Sequence, residues 1–294
     1  MDDDVVARNE LSIPVDDWGF RVGATAVERL RTYHGIPWQI DLHAQRMRHS
    51  MSTIGVQPIA PERFRDRILR LLALQFAGRK AAADEEVGIV VVATPGTKAP
   101  SGLEPSVAGR MLMWLVPIDS ERFARRRSEG SPIALTNVQI PPATSWDPQA
   151  KVRCRLHYYL ADLEAQRHAP EAVGWLHAGD GLGDTSIASM AIVQDDTVWS
   201  PPPERLLASI SQTVASVLAH RIGLPWRHRE LSSVDIEAAD EIWMMGTDTG
   251  LWHVNRVFGT EYRKPHPGPC LQRLRKEWDE EVRRSATVGL DEMR

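Results

Sequence analysis

Lys151-Val-Arg-Cys-Arg-Leu-His-Tyr-Tyr-Leu-Ala-Asp162 opens the stretch whose reading decides this chain. Ala172-Val-Gly-Trp-Leu-His-Ala178 and Gly181-Leu-Gly-Asp-Thr-Ser-Ile-Ala-Ser189 complete it. The first segment has helical spacing and is predicted to run as a helix from Lys151 to about His168. The second reads as an apolar strand, and the third, rich in small residues, as a turn. Lysine is scarce here: Lys151 is the only one between Lys98 and Lys264, and nearly all the positive charge is arginine. Asp184 follows 33 positions later, on the glycine-rich turn.

With 294 residues, the chain has room for one large domain or two of ordinary size. Its 43% hydrophobic and 25% charged residues are those of an ordinary soluble globular protein. A net charge of −4 supplies no basic footprint for nucleic acid, and Arg125-Arg-Arg127 reads as a solvated face. No run of about 18 apolar residues predicts a membrane span, and the acidic Met-Asp-Asp-Asp start lacks the pattern of a signal peptide. Cys154 and Cys270 lack metal-ligand spacing, so free thiols in a reducing cytoplasm are expected. The histidines, His157, His168, His177 and His253 among them, lack zinc spacing, and no metal is expected.

Going outward from the central stretch, residues 1–16 read as a loose arm. Thr25–Tyr33 reads as a strand, His34-Gly35 as a turn and Pro37–Ile40 as the returning strand of a hairpin. Helices are predicted from Asp41 to about Gly55 and from Pro61, where Phe64, Ile68, Leu72 and Phe76 keep helical spacing. Strands at 89–93 and 111–116 complete a small α+β domain, residues 1–117. The polar residues 118–130 read as an interdomain linker, and 131–294 as a larger domain. In that larger domain strands dominate, Arg205–Ile222 is the clearest helix, and the charged tail from Gly268 is helical. Together these readings give an α/β (α+β) fold class.

A lone lysine followed by a carboxylate suits an enzyme of pyridoxal 5'-phosphate (PLP). Such an enzyme needs an amine for a Schiff base and an anion to keep the pyridine nitrogen protonated. Other motifs are in register with that chemistry. Asp17-Trp-Gly-Phe-Arg-Val-Gly23 leads into a first strand carrying Glu28, and Ile40–Ser50 spaces His43, Arg46 and Ser50 along one helix. Ser209-Ile-Ser-Gln212 stands near a helix start, and Ala238-Ala-Asp-Glu-Ile-Trp-Met-Met-Gly-Thr-Asp248 joins an apolar strand to a Gly-Thr turn.

In this order the motifs, from Asp17 to Gly259, resemble the class IV aminotransferases. That family of fold-type IV PLP enzymes includes branched-chain and D-amino acid aminotransferases and aminodeoxychorismate lyase. The resemblance implies a small N-terminal domain, a larger β-rich domain, a cofactor cleft between them, and a homodimer. It implies that Lys151 is the Schiff-base lysine and moves the substrate proton, and that Arg46 binds the cofactor phosphate. Asp184 takes the place of the family's glutamate at the pyridine nitrogen, and Ser189 that of its asparagine. Ser209, Ile210 and Ser211 would bind phosphate through a helix N-terminus, and Thr247 through its hydroxyl. The backbone at Thr247 and Asp248 would receive the substrate carboxylate, with Arg122 a candidate clamp and Asp248 repelling acidic side chains. Trp38, Trp114, Trp243 and Trp252 are pocket or interface candidates as well as core residues.

The activity implied is transfer of an amino group from an amino acid to a 2-oxo acid, with ping-pong kinetics. Two alternatives stay open at the level of sequence: a lyase of the aminodeoxychorismate type, since one site can eliminate as well as transaminate (the resemblance at Lys151 includes Arg155, which those lyases also tend to carry), and a non-catalytic relative, which Asp184 and Ser189 motivate.

Overall fold

The computed structural model of the chain describes residues 4–77, 86–97 and 109–292. Two compact units emerge: Met1–Ile118 with Ala150–Cys154 and Val288–Arg294, and Asp119–Gln149 with Arg155–Thr287. Residues 1–3 of the N-terminal arm and 293–294 of the tail lie outside the described residues.

In the first unit, Asp17 caps the short helix α1 (Trp18–Val22) by accepting a hydrogen bond from the Gly19 amide. Strand β1 (Ala26–Tyr33) turns through His34-Gly35 into β2 (Ile36–Pro37). Both turn residues have positive φ, 51° and 78°, the geometry a two-residue hairpin demands. Pro37 offers no N–H, so the returning strand stops there, shorter than the sequence suggests. Helices α2 (Ile40–Thr53) and α3 (Pro61–Phe76) follow, then β3 (Val87–Thr94) and β4 (Arg110–Pro117). The sheet order is β2-β1-β3-β4.

Alternation along β1 sends Ala26 and Leu30 into a core with Met47, Met51, Phe64 and Ile68, while Val27 packs with Val90, Val92 and Trp114 on the other face. Because β2 is so short, the other end of β1 has an open edge, which the chain around Lys151 fills. Val27 N donates to Lys151 O at 2.9 Å, Arg153 N donates to Thr25 O at 2.8 Å, and Ala26 pairs with Val152. Lys151 is therefore on extended chain joined to the first unit. The predicted helix begins only at Leu156, because the backbone groups before it are taken up by β1.

The second unit opens with α4 (Ser120–Glu129), capped by Asp119, so the stretch read as a linker is a helix. Strand β5 (Ser131–Gln139), helix α5 (Leu156–Ala165) and strands β6 (Val173–Ala178), β7 (Gly181–Thr185), β8 (Ser189–Gln194) and β9 (Thr197–Ser200) follow. Next come α6 (Ile210–Arg221), β10 (Trp226–His228), α7 (Ser233–Glu237), β11 (Glu241–Gly246), β12 (Gly250–Phe258) and α8 (Pro269–Glu292). Eight strands form one sheet in the order β10-β9-β8-β11-β12-β5-β6-β7. Trp175, Met190, Ile242, Met244, Trp252 and Val254 form its main core. Each such side chain stabilises the unit by roughly 1.5–3 kcal/mol through removal of apolar surface from water.

The sequence places Asp184 on a turn, but it lies on β7. The turn is shorter and is closed by Thr185, whose N–H and hydroxyl both donate to Ala188 O, at 3.0 and 2.9 Å. The long helix expected from Arg205 starts at Ile210, because Pro201–Pro203 and a short 3-10 turn at Pro203–Arg205 delay it. Trp38, Trp243 and Trp252 are buried, whereas Trp114 is half-buried.

Candidate active site

In the first unit, α2 assembles three polar side chains at helical spacing. His43, Arg46 and Ser50 are all buried. The Ser50 hydroxyl donates to Arg46 O at 2.8 Å and accepts the backbone N–H of Lys151 at 2.8 Å. One hydroxyl thus fixes the main chain of the lysine to the helix turn that carries the arginine. The structure brings together Lys151 and Arg46, the two residues of this unit that the sequence singled out.

Glu28, on the core face of β1, is fully buried. Its Oε1 accepts from Arg46 Nε at 2.7 Å, and its Oε2 accepts from Arg46 Nη2 at 2.8 Å and from His43 Nδ1 at 2.7 Å. Burial alone would raise its pKa, but the Arg46 charge and hydrogen bonds, with those of His43, lower it to about 2. His43 is held below its ordinary pKa, first by burial and further by Arg46 and Lys151, against the pull of Glu28. A neutral imidazole beside an ionised carboxylate carries its proton on Nδ1, since the carboxylate only accepts. Sequence reading noted the glutamate and the histidine without giving them work. The signal was present: β1 alternation puts Glu28 between Ala26 and Leu30 on the inward face.

The second unit holds the remaining candidates. Asp184 is 2% exposed, and Ser189 and Ser211 are also buried. Gly183 makes room for Leu206, which precedes α6; a Cβ there would lie 2.7 Å from Ile140 Cδ1 and 3.2 Å from Leu206 Cδ2. Trp175 Nε1 donates to Gly183 O at 2.7 Å and so fixes β7 beside the carboxylate. Arg155 Nη2 donates to Ser186 O, and its guanidinium lies 4.6 Å from the centre of the Tyr158 ring. Burial raises the Tyr158 pKa, and the Asp184 charge raises it further. The phenol therefore stays protonated in the neighbourhood of the Asp184 charge.

Ser209 caps α6, its Oγ accepting from Gln212 N at 3.3 Å and its carbonyl from Thr213 N at 3.0 Å. The Ile210 and Ser211 amides, at the first helical positions, have no intrahelical acceptor and are the kind of donors an anion uses. Gln212 has a structural task. Its Nε2 donates to Ser200 Oγ at 3.1 Å, as Trp226 Nε1 does at 3.0 Å, which leaves the Ser200 hydrogen for His228 Nδ1 at 2.9 Å.

Thr247 and Asp248 form the turn between β11 and β12. Gly246 lets that turn approach the chain after Asp184: a Cβ there would lie 2.7 Å from Ile187 O. Half-buried Arg126 on α4 feels the Asp248 charge, while burial and then Arg122 lower its pKa. Arg122, the clamp candidate of the sequence, is exposed on the same helix.

The first unit thus carries an amine whose main chain is tied to the turn of a buried arginine, and the second carries a buried carboxylate near a helix start and a Gly-Thr turn; each set has groups of the kind that PLP chemistry uses. Taken together, fold and site define an α/β protein of the PLP-dependent transferase kind. The family model for amino-transferase class IV matches residues 25–257. A D-alanine aminotransferase of Listeria innocua is 23% identical over 97% of this chain and 96% of its own length. Among solved structures, the branched-chain amino acid aminotransferase of Escherichia coli superposes with a TM-score of 0.81 at 18% identity, covering 94% of this chain and 91% of that one. An aminotransferase of Brucella abortus bound to PLP gives a TM-score of 0.78 at 19% identity, covering 93% and 94%. The chain belongs to the class IV aminotransferase family and is a PLP-dependent aminotransferase.

Proposed function

We propose that this aminotransferase moves the amino group of an amino acid to a 2-oxo acid in two half-reactions, with Lys151 as the acting base. The observation that carries the reading is the Ser50 hydroxyl, which joins the Lys151 main chain to the Arg46 turn. Arg46, the Ile210 and Ser211 amides and the Thr247 hydroxyl would hold the cofactor phosphate. When bound, PLP draws off the electrons released at the substrate Cα. The buried Asp184 carboxylate would keep the pyridine nitrogen protonated. The Lys151 amine would anchor the cofactor and, as the base, would take the proton from the substrate Cα and return it. The Thr247–Asp248 backbone would orient the substrate carboxylate. Because the amine rests on the enzyme between substrates, the kinetics are ping-pong.

The family resemblance supports amino acid and 2-oxo acid substrates, a homodimer and action in the cytoplasm. Purified protein with added PLP is expected to show a visible band at roughly 410–420 nm, as enzymes that bind PLP through a lysine do. An amino donor should bleach the band and a 2-oxo acid restore it. A band that persists in Lys151→Ala would defeat the reading. Release of ammonia or pyruvate without a 2-oxo acceptor would point instead to the lyase alternative.

A further inference from the structure

Glu28 poses a problem that the cofactor reading leaves unsolved. A carboxylate buried on the core face of β1, between Ala26 and Leu30, is costly to desolvate, and an apolar residue would fill the place at no such cost. Its charge also opposes the task given to Arg46, since a neighbouring anion offsets the attraction of a guanidinium for phosphate.

The geometry shows what the carboxylate does. It grips the guanidinium side-on, through Nε at 2.7 Å and Nη2 at 2.8 Å. That contact fixes the plane of the guanidinium and turns the Nη1 edge away from Glu28, which is the edge suited to a two-pronged contact with a phosphate. His43 completes the arrangement: its Nδ1 holds Oε2 at 2.7 Å from below in the same helix, three residues before Arg46. Glu28 therefore accepts three hydrogen bonds and stays ionised in the interior.

We propose that Glu28 is a positioning residue for cofactor phosphate, with His43 as its support: the pair orients the Arg46 fork and does not add to its charge. This inference rests on the reading of Arg46 as the phosphate ligand. It sets two forces against each other. If charge alone governed binding, removing the Glu28 charge would strengthen the hold on phosphate. If orientation governs it, the same change weakens the hold, because glutamine has one acceptor oxygen where Arg46 needs two and its NH2 group faces the N–H donors.

The test compares dissociation constants for PLP and for pyridoxal, which lacks the phosphate, by absorbance titration of the apoprotein, with circular dichroism to verify folding. In Glu28→Gln the preference for PLP over pyridoxal should fall at least tenfold while pyridoxal affinity is kept. An unchanged or increased preference in folded Glu28→Gln would overturn the inference. Should that variant not fold, His43→Leu and His43→Asn decide the matter. The leucine variant should lose several-fold of the preference, and asparagine, which restores an N–H donor, should recover it; equal preference in the two overturns the proposal. Arg46→Ala separates the two layers. If it leaves the preference intact, the phosphate reading falls and this inference with it; if it abolishes the preference while Glu28→Gln does not change it, only the Glu28 inference falls.

Discussion

The main-chain N–H of Lys151 donates to the hydroxyl of Ser50, 101 residues earlier in the chain, at 2.8 Å. Because that hydroxyl donates onward to Arg46 O, Ser50→Ala removes both bonds at once. A hydrogen bond of this kind contributes about 1 kcal/mol net, so a loss of roughly 1–2 kcal/mol in stability is expected. PLP affinity should fall several-fold, read by absorbance titration, while Ser50→Thr retains most of it. An alanine variant with wild-type affinity would show that the lysine is placed by other contacts.

Asp184, buried on β7, is the carboxylate proposed to face the pyridine nitrogen. Asp184→Asn keeps the shape and removes the charge, and its kcat is expected to fall on the order of 100-fold or more, as when a preorganised electrostatic group is lost. PLP should still bind through its phosphate. Asp184→Glu tests reach: if the shorter side chain is matched to this site, the longer one is slower despite an unchanged charge. Measuring kcat with PLP bound in all three proteins separates these outcomes, and full activity in Asp184→Asn would remove the residue from the mechanism.

Gly246→Ala should disturb the Thr247–Asp248 turn, because the new Cβ would lie 2.7 Å from Ile187 O and that neighbour is backbone rather than a side chain that can swing away. A destabilisation of about 1–3 kcal/mol is expected for overpacking of this kind. The KM for the amino donor should rise more than kcat falls. Thermal unfolding and initial-rate kinetics provide the two measurements.

Acid should destabilise the protein in two stages. His253 is almost fully buried, and burial lowers its pKa from 6.5 to about 4. Between those values the unfolded chain binds a proton that the folded chain does not, so stability is complete above about 6.5 and declines as pH falls toward 4. Glu28, lowered from 4.5 to about 2, acts over the next interval: its contribution is complete above about 4.5 and is lost as pH falls toward 2. Both effects have the same sign, so the apparent Tm should decline continuously from near neutrality. His253→Gln should make the upper part of the curve shallower and leave the lower, with the remaining slope carried by His43 and His157, which are also held below the ordinary histidine pKa by burial; an unchanged upper part would remove His253 from the effect.

Local chemistry made much of this protein legible in its sequence. The His34-Gly35 turn, the helix start at Pro61 and the spacing of His43, Arg46 and Ser50 are written in neighbouring residues, and the dispersed motifs announced the family. Tertiary structure decided what those neighbours do not encode. Lys151 has helical surroundings in sequence, yet the open edge of β1, more than a hundred residues earlier, draws its backbone into an extended pairing. Residues 118–130 are polar enough for a linker, yet with the Asp119 cap Ser120–Glu129 forms a helix, on which Arg126 is half-buried. Glu28 looks like any strand glutamate until the fold buries it against Arg46 and His43. In each case the deciding partner is remote in sequence, and hydrogen-bonding groups that leave water must take whatever partner the fold supplies.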